Sequence, residues 1–226
     1  MKRILISSVL LFSVLTCHAQ WSTRGTVEIS AGGSFPFGEF GYSSYAQDDI
    51  GFAESGVNLA VSFTCRINAQ LGLVASVSKH ILGVDEVGIA DRYWIPPYGW
   101  NWTVESTRWM LNAYMGGIDI IVPIYKSDFQ LRFLGGLATT RLPGLTGSAY
   151  SFRREATTDN SAAWSAGLGF KYQNFEKITL SFMLDFFMAN PVLDETWSSS
   201  IDSGSETIKQ DIRLINFTLG LGFRIF

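Results

Sequence analysis

Residues 212–226 read IRLINFTLGLGFRIF and decide the fold of the chain. Side chains of a β-strand point alternately to its two faces. One face of this segment is apolar, from Ile215 to Ile225, and the other is small and polar, from Asn216 to Arg224. A long strand with a single apolar face at the end of a chain is typical of the closing seam of a transmembrane β-barrel.

The same alternation recurs along the chain and predicts an all-β protein. The predicted strands number eight and cover residues 25–35, 56–67, 69–81, 107–125, 129–140, 162–173, 177–188 and 212–226. In the fourth strand the apolar residues stand at odd positions up to Met115 and at even positions from Ile118 onward. We interpret this change as a β-bulge at Gly116-Gly117, which would return both apolar sets to one face.

The connections between these strands alternate in length. Tight turns are predicted around 68, 126–128 and 174–176, and long loops over about 36–55, 82–106, 141–161 and 189–211. Short turns at one end and long loops at the other are typical of an outer-membrane barrel. The sequence therefore predicts an eight-stranded antiparallel up-and-down transmembrane β-barrel with short periplasmic turns and four long extracellular loops.

The second face of the strands argues against a soluble barrel, which would direct its apolar side chains inward. Here that face carries mid-strand charges together with many glycines and serines, and eight strands leave room inside only for side chains. The charges are Glu28, Arg66, Arg132, Lys171, Asp185 and Arg224. Aromatic residues also lie near the predicted strand ends, as in interfacial girdles. On the turn side these are Tyr125, Phe129, Tyr172, Phe175 and Phe226, and on the loop side Phe35, Phe37, Trp109, Trp164 and Phe187.

The amino terminus has the layout of a secretory signal peptide. Lys2 and Arg3 precede the mostly apolar run 4–15, and small residues suit cleavage after Ala19. We therefore expect a signal peptide at residues 1–19 and a barrel domain at residues 20–226, placed in the cell outer membrane. The mature chain would carry 15 basic and 20 acidic residues, and this acidic balance gives no sign of nucleic-acid binding.

Over residues 20–226 the chain resembles the small eight-stranded bacterial outer-membrane barrels of the OmpA/OmpX-like kind, including the outer membrane beta-barrel protein families common in Bacteroidota. The carboxyl end is similar to the signal that the barrel assembly machinery recognises in such proteins, through Thr218, Gly220, Phe223 and Ile225. The resemblance implies contact with that machinery and with outer-membrane lipid and lipopolysaccharide. It implies no cofactor.

The charged residues of the second face have two interpretations. They could line a path for ions or protons, or they could pair with one another and close the lumen. Unpaired charges in a narrow, low-dielectric space cost several kcal/mol each. The sequence therefore favours an ion-pair network of Glu28, Arg66, Arg132, Lys171, Asp185 and Arg224 that plugs the barrel.

An enzyme that modifies lipopolysaccharide, an acyltransferase or deacylase, is the alternative. His80 is the only histidine after the signal peptide, Ser78 shares its face, and Asp85 and Glu86 follow closely. A Ser-His-acid set requires a geometry that this spacing does not demonstrate. We expect a polar residue at the barrel rim and no enzyme.

The second loop contains the densest group of aromatic residues. Residues 91–102 read DRYWIPPYGWNW, and exposed aromatic side chains often mark binding surfaces. The predicted binding surface is formed by Tyr93, Trp94, Tyr98, Trp100 and Trp102. Arg153-Arg154 could bind phosphates, and the acidic loop residues lack the spacing of a calcium loop, so no metal site is predicted.

Together these patterns predict an integral outer-membrane protein with a structural or adhesive role. Its loops would bind an extracellular protein or glycan. A narrow channel and a secretion-assembly factor remain further alternatives.

Overall fold

The computed structural model describes residues 25–41, 51–92, 103–148, 151–173, 177–200 and 202–225. The predicted signal peptide and the aromatic segment 93–102 lie outside these residues. The described residues include a short helix, α1 (Glu86–Arg92), and a 3-10 turn, Gly38–Phe40. Neither of these helical segments has the length and apolarity needed to span a membrane.

The described part of the chain consists mainly of β-strands. In chain order they are β1 (Gly25–Pro36), β2 (Ala53–Arg66), β3 (Leu71–Val84), β4 (Val104–Ser106), β5 (Trp109–Ile124), β6 (Ser127–Arg141), β7 (Leu145–Gly147), β8 (Arg153–Arg154), β9 (Thr158–Tyr172), β10 (Ile178–Ala189), β11 (Val192–Ser198), β12 (Ser203–Lys209) and β13 (Ile212–Arg224).

Eight of these strands form a closed antiparallel barrel. Their order around the barrel is β1-β13-β10-β9-β6-β5-β3-β2, so each pairs with its neighbours along the chain and β1 pairs with β13 to complete the circle. Closure leaves no unpaired strand edge, which is the condition for a sheet to cross a membrane. The predicted fold is confirmed, and all eight predicted strands are present.

The outer face of the barrel is apolar and the inner face is mostly polar. Trp164 and Phe182 are 46% and 45% exposed, whereas Asp119 and Thr140 are completely buried. This is the reverse of a soluble barrel, and it fits a surface that contacts lipid.

β5 differs from the sequence-based expectation. Its pairing with β3 and β6 is continuous, so no bulge occurs at Gly116-Gly117. Trp109 and Met115 face the lumen, and Ile118 faces outward. The apolar residues of β5 therefore change from the inner to the outer face along a regular strand. They can do so because the loop-side half of the lumen is itself apolar. Trp109 and Phe187 are each 1% exposed, so their predicted places in the loop-side aromatic girdle are wrong.

The loop-side half of the lumen contains the main apolar core. This core, here called the apolar plug, includes Phe40 from the first loop, whose ring lies 5.2 Å from that of Trp109. The Trp109 indole nitrogen also donates a hydrogen bond of 3.1 Å to the Gly51 carbonyl. Its other members include Leu82, Leu111, Leu134, Leu142, Phe187, Leu193, Ile212 and Leu214.

Above the barrel, three loops join in a second sheet of order β12-β11-β8-β7-β4. β4 belongs to the second loop, β7 and β8 to the third, and β11 and β12 to the fourth. A smaller apolar cluster of Phe52, Ile89, Val104 and Leu145 packs the first three loops together. The long loops thus have a common folded structure in their described parts, here called the loop sheet.

Candidate functional site

A buried ion pair crosses the lumen between β1 and β9. Lys171 Nζ lies 3.0 Å from Glu28 Oε2, and both side chains are buried. Glycines of β13 make room for this pair. A Cβ atom on Gly220 would lie 2.9 Å from Glu28 Oε1 and 2.3 Å from the Ser181 hydroxyl. The lumen-facing glycines therefore leave space for charged side chains from the other strands.

A second buried pair joins β5 and β6. Arg132 donates from Nε to Asp119 Oδ1 at 2.8 Å and from Nη2 to Asp119 Oδ2 at 3.1 Å. The two residues are direct register partners, so the sheet itself aligns this bidentate contact. Gln130 lies 3.4 Å from the same carboxylate.

A third group closes the periplasmic end. Arg66 forms an ion pair with Asp128, and Gln173 Nε2 donates to the same carboxylate. The side-chain oxygen Oε1 of Gln173 accepts a hydrogen bond of 2.5 Å from Arg224 Nη2. Asp128 was not among the predicted lumen residues because the predicted strand began at 129, although 128 has the same parity as Gln130.

Asp185 lies apart from these pairs. Among the described residues, no cationic group is within ion-pair distance of its carboxylate, although Arg132 interacts with it electrostatically. Its carboxylate lies over Gly167, where an added Cβ atom would be 2.1 Å from Asp185 Oδ1. The structure thus pairs Glu28 with Lys171, and it brings Arg66 and Arg224 to Asp128 and Gln173. It leaves Asp185 at the wall of a polar chamber.

This chamber lies in the middle of the barrel. The cavity volume of the chamber is about 40 Å³, which is enough for about three water molecules. The buried Asn58 Oδ1 has no protein hydrogen-bond partner within the described residues, and bound water would satisfy it. The polar lining of the chamber includes Glu28, Asn58, Ser62, Ser76, Ser78, His80, Arg132, Ser165, Asp185, Asn216 and Thr218.

A second, smaller space of about 10 Å³ lies toward the periplasmic end and is lined by Arg66, Gln130, Lys171 and Arg224. Glu28 lines the chamber and Lys171 lines the smaller space, so their ion pair stands between the two. The apolar plug lies on the other side of the chamber, and its member Phe187 forms part of the chamber wall.

His80 is buried in the lumen and is not the rim residue that we expected. It is 1% exposed, and its ring centroid lies 5.1 Å from that of Phe187. Nδ1 lies 3.0 Å from the Ser34 hydroxyl, which donates to Asn216 at 2.6 Å, and Nε2 lies 3.2 Å from the Ser78 hydroxyl. Because the Ser34 proton is used by Asn216, these contacts suit the neutral tautomer in which Nδ1 donates to Ser34 and Nε2 accepts from Ser78.

The acids suggested for a Ser-His-acid set do not reach His80. Asp85 Oδ1 accepts a hydrogen bond from the Gly88 backbone at 2.8 Å, in the first turn of α1. Glu86 Oε1 accepts from both the backbone and the hydroxyl of Ser106, at 2.7 and 2.8 Å. Both carboxylates therefore organise the second loop.

The predicted aromatic binding surface, consisting of Tyr93, Trp94, Tyr98, Trp100 and Trp102, lies outside the described residues.

Arg154, suggested as a phosphate ligand, is instead held by the loops. Its Nη1 pairs with Glu195 at 2.8 Å and its Nη2 donates to the Pro143 carbonyl at 3.2 Å. No group of residues suited to bind a metal occurs in the described ranges.

No protein-family model matches the chain, and no curated protein matches it in sequence. Solved structures match in fold. Neisserial surface protein A has a TM-score of 0.53 at 10% identity, and the Ail protein of Yersinia pestis has a TM-score of 0.52 at 10% identity. A major outer membrane protein from Thermus thermophilus has a TM-score of 0.59 at 11% identity. Each match covers 91% of this chain and 100% of the other. The chain therefore has the fold of the small outer-membrane β-barrels.

Proposed function

We propose that the protein is a sealed, non-enzymatic outer-membrane barrel that serves as a membrane scaffold for the loop sheet. The observation that carries the proposal is the apolar plug, which fills the loop-side half of the lumen with fully buried residues such as Trp109, Leu111 and Leu214. A hydrophobic constriction of this kind excludes water and opposes ion passage.

The ion pairs add a second barrier below the plug. An ion that crossed would have to separate Glu28 from Lys171, and a buried charge without its partner costs several kcal/mol. The polar chamber is therefore an isolated water site and not part of a channel. The burial of Ser78 and His80 also argues against an enzyme there, because buried side chains do not contact a lipid substrate at the barrel surface.

The role of the loops is binding to a partner outside the cell. The loop sheet holds three loops together, and the Arg154–Glu195 ion pair ties the third loop to the fourth. The four loops, at 37–52, 85–108, 142–157 and 190–211, contain thirteen acidic and five basic residues, a net charge of −8. Complementary charge steers association, so a basic protein surface is the favoured partner.

This charge argues against a sulfated glycan as the ligand. Ail has been solved with the heparin analogue sucrose octasulfate, a polyanion. The acidic loops of this chain would repel such a ligand. We propose in addition that residues 1–19 direct export and are removed, and that β13 engages the barrel assembly machinery.

Two measurements test the proposal. In planar bilayers the purified barrel should give no steady conductance steps above leak, and regular steps would show an open lumen and refute the sealed barrel. In proteoliposomes the loops should bind fluorescent polylysine but not heparin, and the binding should weaken as salt rises. Replacing the exposed Glu105 and Glu206 by Gln should reduce polylysine binding. Equal or stronger binding of heparin would contradict the proposed partner chemistry.

A further inference from the structure

A row of polar side chains borders the loop side of the lipid-facing surface on one side of the barrel. Lys79 on β3, Asn112 on β5, Thr139 on β6 and Asn160 on β9 are direct register neighbours. They share the outward parity of Val77, Tyr114, Leu137 and Trp164, which are exposed apolar or aromatic residues on the same four strands.

The position of this row can be estimated from β5. Its outward apolar residues extend from Ile124, beside the periplasmic turn, to Tyr114, ten residues along the strand. At a rise of about 3.4 Å per residue and a tilt of about 40°, that length spans about 26 Å of height, close to the roughly 25 Å apolar band of such barrels. Asn112 is two residues further and therefore lies about 5 Å beyond the band, in the outer headgroup layer.

The row carries positive charge without a compensating acid. Arg141 follows Thr139 on the outward face of β6, and its register partners are Met110 and Thr158. The register partners of Lys79 are Leu59 and Asn112. Among the described residues, no acidic group forms an ion pair with Lys79 or Arg141, and both side chains are exposed.

The opposite side of the barrel lacks this feature. There the outward residue beyond the apolar band of β13 is Arg213, which forms an ion pair with Asp211. Its register partner on β10 is Met188, and the next outward residue of β10 toward the band is Phe186, whose ring lies 5.5 Å from that of Phe37. The uncompensated charge is thus confined to the side formed by β3, β5, β6 and β9.

From this arrangement we propose that Lys79, Asn112, Thr139, Asn160 and Arg141 form a binding site for the phosphorylated sugar headgroup of an outer-leaflet glycolipid. Lys79 and Arg141 supply charge-assisted hydrogen bonds to a phosphate. Asn112 and Asn160 offer amide groups to the sugar, and the 2.6 Å hydrogen bond from Thr139 to Asn160 holds two of these side chains together on the face. The acyl chains would lie on the apolar rows directly below. The site does not depend on the proposed role of the loops.

Native mass spectrometry of the full mature barrel in detergent tests this proposal. The barrel is titrated with bis-phosphorylated lipid A, with chemically dephosphorylated lipid A and with inorganic phosphate. The phosphorylated lipid should bind, and the dephosphorylated lipid and free phosphate should bind more weakly. The double variant Lys79→Gln/Arg141→Gln should weaken lipid A binding at least about tenfold, since it removes two charge-assisted contacts.

The matched control is Lys126→Gln, which removes one exposed lysine from the periplasmic turn and should leave lipid A binding unchanged. Correct folding of each variant is checked by its heat-dependent gel shift. Asn112→Ala/Asn160→Ala supplies a second, uncharged disruption, for which a smaller loss of binding is expected. Unchanged lipid A binding in the Lys79/Arg141 variant, or equal binding of dephosphorylated lipid, would overturn the site. Free phosphate binding as tightly as lipid A would show a simple anion site and would also overturn it.

Discussion

The buried Asp119–Arg132 pair allows a quantitative test of the lumen network. Asp119→Asn keeps the shape of the side chain but removes its charge, and it leaves a guanidinium with only 7% exposure facing a neutral amide. Breaking a buried ion pair from one side typically costs about 3–5 kcal/mol. Arg132 also interacts with Glu28 and Asp185, which remain in the variant. We therefore expect the free energy of unfolding to fall by about 3 kcal/mol, the lower end of that range.

The assay is equilibrium urea unfolding of the barrel in lipid vesicles, followed by tryptophan fluorescence. The matched control is Asp211→Asn, which removes the same group from the partly exposed pair with Arg213 and should cost less than about 1 kcal/mol. The double variant Asp119→Leu/Arg132→Met removes both charges and should recover most of the loss, because apolar replacement of a buried pair is often neutral.

Two results would refute this reasoning. The first is an Asp119→Asn barrel whose free energy of unfolding lies within about 1 kcal/mol of the unmodified protein, close to the value for an exposed pair. The second is a double variant as unstable as the single one. Either result would mean that water or the remaining acids already compensate the Arg132 charge.

Two further predictions concern steric fit inside the barrel. Gly167→Ala should destabilise the barrel by about 1–3 kcal/mol, because its Cβ atom would lie 2.9 Å from the Leu184 backbone oxygen and 2.1 Å from the Asp185 carboxylate. Gly135→Ala, with no atom within 4 Å of the added Cβ, should be neutral in the same urea titration. Trp109→Ala should cost about 3–5 kcal/mol as a large-to-small change in a packed core, with a smaller loss for Trp164→Ala on the lipid-facing surface. Equal effects in either pair would contradict the assignment of inner and outer faces.

The candidate site was only partly predictable from the sequence. The mid-strand charges of β1, β6 and β9 were identified from parity alone, because a charged side chain on a membrane-spanning strand must face the lumen. Their partners depended on register. Asp119 meets Arg132, and Asp128 meets Arg66, only because of how the strands are aligned in the closed sheet. Sequence parity carries no information about that alignment.

The location of His80 also depended on the closed barrel. Its parity correctly predicted a lumen-facing side chain. Its depth was decided by loop residues such as Phe40, which fold over the barrel mouth and extend the buried interior beyond the predicted strand ends. A residue that sequence places near a rim can therefore be fully buried.

By itself, the sequence determined the eight strands, their up-and-down order and the apolar face that contacts lipid, because period-two alternation and connection length are local properties of the chain. The tertiary structure alone decided what fills the lumen. In β5 the apolar residues up to Met115 and those from Ile118 onward occupy opposite faces of one regular strand. Both lipid and a packed core favour apolar side chains. Only the surroundings of a residue in the folded barrel therefore distinguish the inward-facing Trp109 from the outward-facing Ile118.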